Sequence, residues 1–88
     1  MQTQYRNKIR IIRLDEVITV VNFSKSSIYD LMNKGLFPSS FKIGGRAIAW
    51  LESDILKFID ALAQEKSQDE IKVLVDTLRN QRLKGGDS

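Results

Sequence analysis

Hydrophobic positions along this chain fall into short blocks, each with its own period. Ile9-Arg10-Ile11 alternates as a short strand does, and Ile12 and Leu14 extend its apolar content. Asp15 and Glu16 follow, acids placed where the positive end of a helix dipole favours them. The block Val17-Ile18-Thr19-Val20-Val21 is β-branched throughout, which by propensity alone favours a strand. What comes next argues for a helix over 15–21 instead. Asn22 is one of the few non-glycine residues that tolerates a left-handed backbone, so it can end a helix and turn the chain. Ser24 is a good N-cap, and Ile28 and Leu31 recur at helical spacing behind it. Two short helices meeting at that turn can share Val17, Val21, Phe23, Ile28 and Leu31 as a small core.

The second helix is predicted from Lys25 to Lys34 and ends at Gly35, a preferred residue just past a helix terminus. Pro38 restricts Phe37 to extended geometry. Phe41-Lys42-Ile43, the pair Gly44-Gly45 and the run from Arg46 to Trp50 read as a β-hairpin with a glycine turn. Ser53 then caps a helix with Ile55, Leu56, Phe58, Ile59 and Leu62 on a broad apolar face. Ser67-Gln68-Asp69-Glu70 fits the capping-box pattern, a serine followed three residues on by a glutamate. Behind it Ile71, Leu74, Val75 and Leu78 stand at i, i+3, i+4 and i+7, an amphipathic stripe expected to stop near Gly85-Gly86. Whether this helix is separate from the one before it or continuous through Lys66 stays open. The expected organisation is a basic arm over 1–8, a folded domain over 9–65 and a helical tail over 66–88.

Composition narrows the chemistry. Eighty-eight residues without cysteine or histidine exclude disulfides, thiolate metal sites and a cysteine nucleophile, and remove the commonest general base. No enzyme activity, metal or cofactor is expected. No apolar run approaches a membrane span, and the amino terminus lacks the apolar stretch of a secretory signal, so a cytoplasmic protein is expected. The net charge of +3 is unevenly spread. Residues 1–50 carry eight Lys/Arg against three acids, net +5, and residues 51–88 carry six against eight, net −2. A basic half joined to an acidic half suggests a surface facing a polyanion and a separate scaffold or partner surface.

Strand, short helix, tight turn, second helix, hairpin, third helix is the order of a helix-turn-helix with a wing. In such proteins the second helix lies in the major groove of duplex DNA with its amino-terminal part at the base edges. Burial of Ile28 and Leu31 leaves Lys25, Ser26, Tyr29, Asp30 and Asn33 on the opposite face, where they can reach bases or phosphates. Ser24 and Ser27 sit at the helix amino terminus, where backbone N–H groups favour a phosphate. Lys34 is a further phosphate candidate, with Asp30 four residues earlier as its competing partner. The hairpin adds Lys42 and Arg46 around a turn with no side chains to obstruct a close approach. Each has a plainer alternative: Tyr29 as a lid on the core, the lysines as solvated charges, Gly44-Gly45 as a turn alone. Trp50 reads as core. No phosphate-loop pattern is present.

The stretch from Arg13 to Leu62 resembles the AlpA-type phage regulators, within the wider MerR-like and excisionase winged-helix group. The residues that carry this are Arg13-Leu14 with Val17, Ser24 with Ile28-Tyr29, Phe37-Pro38, Gly44-Gly45-Arg46, Trp50 and Asp54-Ile55. The resemblance implies a mainly α fold with a small β-hairpin wing, a winged helix-turn-helix, here followed by a C-terminal helix. It also implies binding to a specific double-stranded DNA site, and control of an integrase or excision gene in a prophage or mobile element. Partners implied at that level are RNA polymerase or a recombinase. Two positions depart from the pattern: Asn22 replaces the turn glycine, and Ile18 replaces a small residue, which spaces the first two helices farther apart. An excisionase that bends DNA is the alternative within DNA binding, and a protein-interaction module using the C-terminal helix is the alternative outside it. The stripe Ile71, Leu74, Val75, Leu78 either folds back on its own domain or forms a homodimer seam, with a slight lean to the dimer.

Overall fold

The computed structural model describes residues 10–86, with the side chains of the last helix described as far as Arg82. The expected arm over 1–8 and the start of the first strand at Ile9 lie outside the described residues. Strand β1 (Ile11–Arg13) runs into helix α1 (Leu14–Val21), which a turn connects to α2 (Lys25–Asn33). Strands β2 (Phe41–Lys42) and β3 (Ile48–Leu51) form the wing, and α3 (Glu52–Ala63) and α4 (Gln68–Gly86) complete the chain. This is a winged helix-turn-helix with a C-terminal helix.

The β-branched run forms a helix, as the residues around it indicated. Asn22 adopts φ 62° and its N–H donates to the Ile18 carbonyl at 2.8 Å, closing α1 and turning the chain. Ile18 is half-buried against the core. Helix α2 ends in a Schellman turn: the Leu36 N–H reaches the Leu31 carbonyl at 2.8 Å while Gly35 takes φ 73°. Helix α3 ends the same way, with the Lys66 N–H on the Ala61 carbonyl at 3.1 Å and Glu65 at φ 58°. That left-handed residue separates α3 from α4, so they are two helices. The second opens with the expected capping box: the Ser67 N–H donates to Glu70 Oε1 at 2.9 Å and the Glu70 N–H to Ser67 Oγ at 3.2 Å. Hydrogen bonding from Ser67, its backbone N–H first and its side chain second, holds the Glu70 carboxyl below its ordinary pKa.

Strand β3 is central in the antiparallel order β1-β3-β2, with Ile12 opposite Trp50 and Phe41 opposite Ala49. The hairpin is shorter in its strands than the sequence indicated. Its loop takes in Ile43 and Arg46, closed by the Ile43 N–H on the Ala47 carbonyl at 2.9 Å. Ser53 is not the cap of α3. The strand runs straight into the helix, Leu51 holds the cap position without a side-chain bond, and the Glu52 N–H donates to the Arg10 carbonyl at 2.8 Å. Pairing with β1 thus fixes where α3 begins, and Glu52 and Asp54 supply the acids of its first turn.

The apolar face of α3 is also narrower than expected. Ile55, Phe58 and Ala61 are buried and Ile59 is partly so, whereas Leu56 is 52% and Leu62 40% exposed. Helix α4 packs against α3. Of the two alternatives for its stripe, the fold-back is what the chain adopts. Ile71 and Val75 belong to the same buried cluster as Trp50 and Phe58, Leu78 is buried, and Leu74 is half-buried beside them. The lean to a dimer seam is corrected accordingly for Ile71, Val75 and Leu78, since side chains inside one chain's core cannot face a second copy. Among the described residues no helix is long and apolar enough to cross a membrane.

Ile71→Ala tests this packing. It should lower the unfolding free energy by about 2–5 kcal/mol, the usual cost of emptying a buried Ile site. Denaturation followed at several protein concentrations should give one midpoint, because the lost contacts lie within one chain; a midpoint that climbs with concentration would return the stripe to an interface between copies.

Candidate nucleic-acid interface

Every side chain expected to face DNA lies at the surface of α2, its flanks or the wing. Helix α2 begins where it does because Ser24 caps it: the Ser27 N–H donates to Ser24 Oγ at 3.1 Å, and the Ser24 hydroxyl donates to Ser27 Oγ at 2.9 Å. The Ile28 N–H takes the Ser24 carbonyl at 3.0 Å. The N–H groups of Lys25 and Ser26 are then left at the helix start without an intrahelical acceptor. The two flanking serines are therefore occupied with each other, and their contribution is to hold open the backbone donors next to Lys25.

At about 100° per residue, Lys25, Tyr29, Asn33 and Ser26 fall within roughly one 100° arc of α2. Ile28, fully buried, and the half-buried Leu31 occupy the other side. Tyr29 is 39% exposed and stands in the middle of the polar arc. Lys34 falls outside it and ion-pairs with Asp30 at 2.9 Å, both side chains well exposed. The structure thus brings Lys25, Ser26, Tyr29 and Asn33 together and sets Ser24, Ser27 and Lys34 apart from them.

On the wing, Phe41 is half-buried and Lys42 points outward, as alternation along a strand requires. Gly44 takes φ 75°, a conformation that side chains other than glycine seldom adopt, and an added Cβ at Gly44 or Gly45 would meet nothing within 4 Å. Arg46 leaves this open turn exposed. The hairpin is anchored at its root. The Trp50 Nε1–H donates to the Pro38 carbonyl at 2.9 Å, and Arg82 of α4 donates through Nη1 to the Ser39 carbonyl at 3.0 Å.

Arg82 escaped sequence reasoning, because nothing local ties it to a segment 43 residues earlier. Lys72 and Arg79 likewise carry no local signal in the sequence. With Asp76 they line a cleft of about 250 Å3 beside Met32, Gly35 and Ser39, next to the end of α2. Asp54, buried at the start of α3, has its carboxyl pKa raised by that burial, an effect the charges of Arg82 and Lys57 partly offset.

The architecture defines a winged helix-turn-helix protein by class. A family model described as prophage CP4-57 regulatory protein (AlpA) matches residues 10–62, and the chain belongs to that family. It is 41% identical over 46 residues to the uncharacterized protein ORF88 of Enterobacteria phage P4, a match covering 52% of each chain. The chain thus spans about half the length of the curated relative it matches. No solved structure matches it.

The cap gives a direct test of how α2 is held. Ser24→Ala should cost about 1 kcal/mol of stability in thermal or denaturant unfolding. A loss near zero would mean that packing of Ile28 alone sets the start of this helix.

Proposed function

We propose that this protein binds a specific duplex DNA site and regulates a prophage or mobile element, its natural target being control of integrase or excision genes. The observation that carries this reading is the arc of Lys25, Ser26, Tyr29 and Asn33, exposed on a helix whose amino terminus keeps free backbone donors. Side chains of this kind can discriminate base edges in the major groove, and the donors favour a phosphate. Lys42 and Arg46 on the wing hold the backbone alongside, a contact that adds affinity without sequence information. No catalytic step is part of this reading.

An excisionase that bends its site would use the same surfaces. A second copy, if two half-sites are bound, would have to meet the first outside the buried stripe of α4. One observation favours a protein partner in addition to DNA. A groove of about 600 Å3 runs between α3 and α4, with Ala61, Val73 and Leu74 between Lys57 and Lys66 and the acids Asp60, Asp69 and Glu70. Such a groove, apolar in the middle and charged at the rim, suits a segment of RNA polymerase or of a recombinase.

Two substitutions separate base reading from backbone contact. Lys25→Ala with Ser26→Ala should leave the fold intact and cost on the order of 1–3 kcal/mol per base-edge contact, measured by titration of cognate against random duplex. Equal selectivity in the folded double variant would remove α2 as the reader.

Arg46→Ala should weaken cognate and random duplex alike and lower the salt slope of binding by about one. If discrimination collapses while the slope holds, the wing reads bases rather than phosphates.

A further inference from the structure

Ile71, Val75, Leu78 and Arg82 stand at i, i+4, i+7 and i+11, so Arg82 holds the place where the buried stripe of α4 would continue. A cation there needs partners, and it has them. Its Nη1 donates to the Ser39 carbonyl at 3.0 Å, and its guanidinium lies over the Phe41 ring, 5.5 Å from the centroid. The negative charge of Asp54 at the start of α3 also feels it. The neighbouring carbonyl, that of Pro38, is held by Trp50. Two successive carbonyls are therefore gripped by different parts of the molecule, just before the chain enters β2.

We propose that Arg82 is a positioning residue for the wing, fixing the attitude of the hairpin relative to α2. Strand β2 has two residues and lies at the edge of the sheet, so its own ladder gives it little hold. Arg46 stands five residues beyond Phe41, and a small change of angle at the root is multiplied at the tip. The residue that sets this angle lies in α4, beyond the 10–62 stretch that matches the family. The effect of Arg82 on DNA rests on the reading of the wing given above; its effect on the wing itself does not.

The test uses the full chain with Arg82→Met, which keeps the stem and loses both charge and donor, and Arg82→Lys, which keeps a cation. Amide hydrogen exchange on the free protein reads the wing directly. Exchange at Ile43, whose N–H closes the loop on Ala47, should rise in Arg82→Met while the amides of α1 and α2 keep wild-type rates, and Arg82→Lys should fall between. On duplex DNA, Arg46→Ala should cost on the order of tenfold in affinity in the wild-type background and about twofold or less beside Arg82→Met, because a displaced wing has already lost that contact. Unchanged exchange at Ile43 overturns the proposal, and so does a rise spread evenly over all helices, which marks a general packing role. Should Arg82→Met fail to fold, Arg82→Lys carries the test on the same two criteria. Local loosening at Ile43 with no effect of Arg46→Ala in either background supports Arg82 as the wing's anchor and removes the wing from DNA binding.

Discussion

The buried indole of Trp50 ties together parts of the chain that have no other reason to meet. Its strand pairs with β1 on one side and β2 on the other, so the residue opposite Trp50 is the equally buried Ile12. A buried indole N–H is costly unless it finds an acceptor, and Pro38 supplies one at 2.9 Å. The Phe37 ring, just before Pro38, stands edge-on to Trp50 with centroids 6.2 Å apart. From there the rings continue: Phe37 meets Phe58 at 4.8 Å, and Phe58 meets Phe23 at 6.5 Å. Phe23 lies in the turn between α1 and α2. A single run of aromatic contacts therefore links the root of the wing to the turn of the helix-turn-helix, and a shift at either end must disturb the other, since packed interiors have little slack.

The parts of this fold that could be read from the sequence are those whose signals are local. Asn22 and Ser24 mark the turn because each residue's own chemistry suits a left-handed corner or an N-cap. Ser67 and Glu70 mark the last helix because each satisfies the other's backbone. Long-range decisions left no such trace. The pairing of β1 with β3 joins residues nearly 40 apart, and it, not Ser53, sets the first residue of α3. Leu56 and Leu62 match the helical period of a core face, yet stand exposed, while Ile55, Phe58 and Ala61 are buried. Glu65 ends α3 in a conformation more often given to glycine or asparagine, so the end of α3 carried no residue signature of its own.

The same distinction holds for the candidate interface. The arc of α2 was legible because a helix with one buried side must expose the other, and Ile28 fixes which is which. The pairing of Lys34 with Asp30 was legible too, through their i, i+4 relation, although Lys34 was also expected to reach phosphate. Arg82 was not, since its meaning lies wholly in what it touches. Helix α4 is outside the family match but inside the core, with Ile71 and Val75 in the cluster that holds Trp50. In a chain of this size the apolar surface of one more helix is a large share of the whole core, so the stability of the matched region and the presence of α4 are not independent.

Charge counted along the sequence is a weak argument for a polyanion partner, because most charged faces are merely solvated. Its distribution in the fold is stronger. Among the described cations of the basic half, Arg10 bridges Glu52 at 2.8 Å and Glu16 at 3.3 Å, and Lys34 pairs with Asp30. Such half-exposed pairs add little stability, but they do cancel charge locally. Arg13, Lys25, Lys42 and Arg46 form no ion pair within 4.0 Å among the described residues. Three of those four stand on α2 or the wing. Two of the three acids of the first half, Glu16 and Asp30, thus pair with Arg10 and Lys34, cations outside the arc, and most of the unpaired cations stand where the proposed duplex would lie. A surface solvated by chance has no reason to sort its charges in this way, whereas one that must attract phosphate and keep its own carboxylates clear of it does.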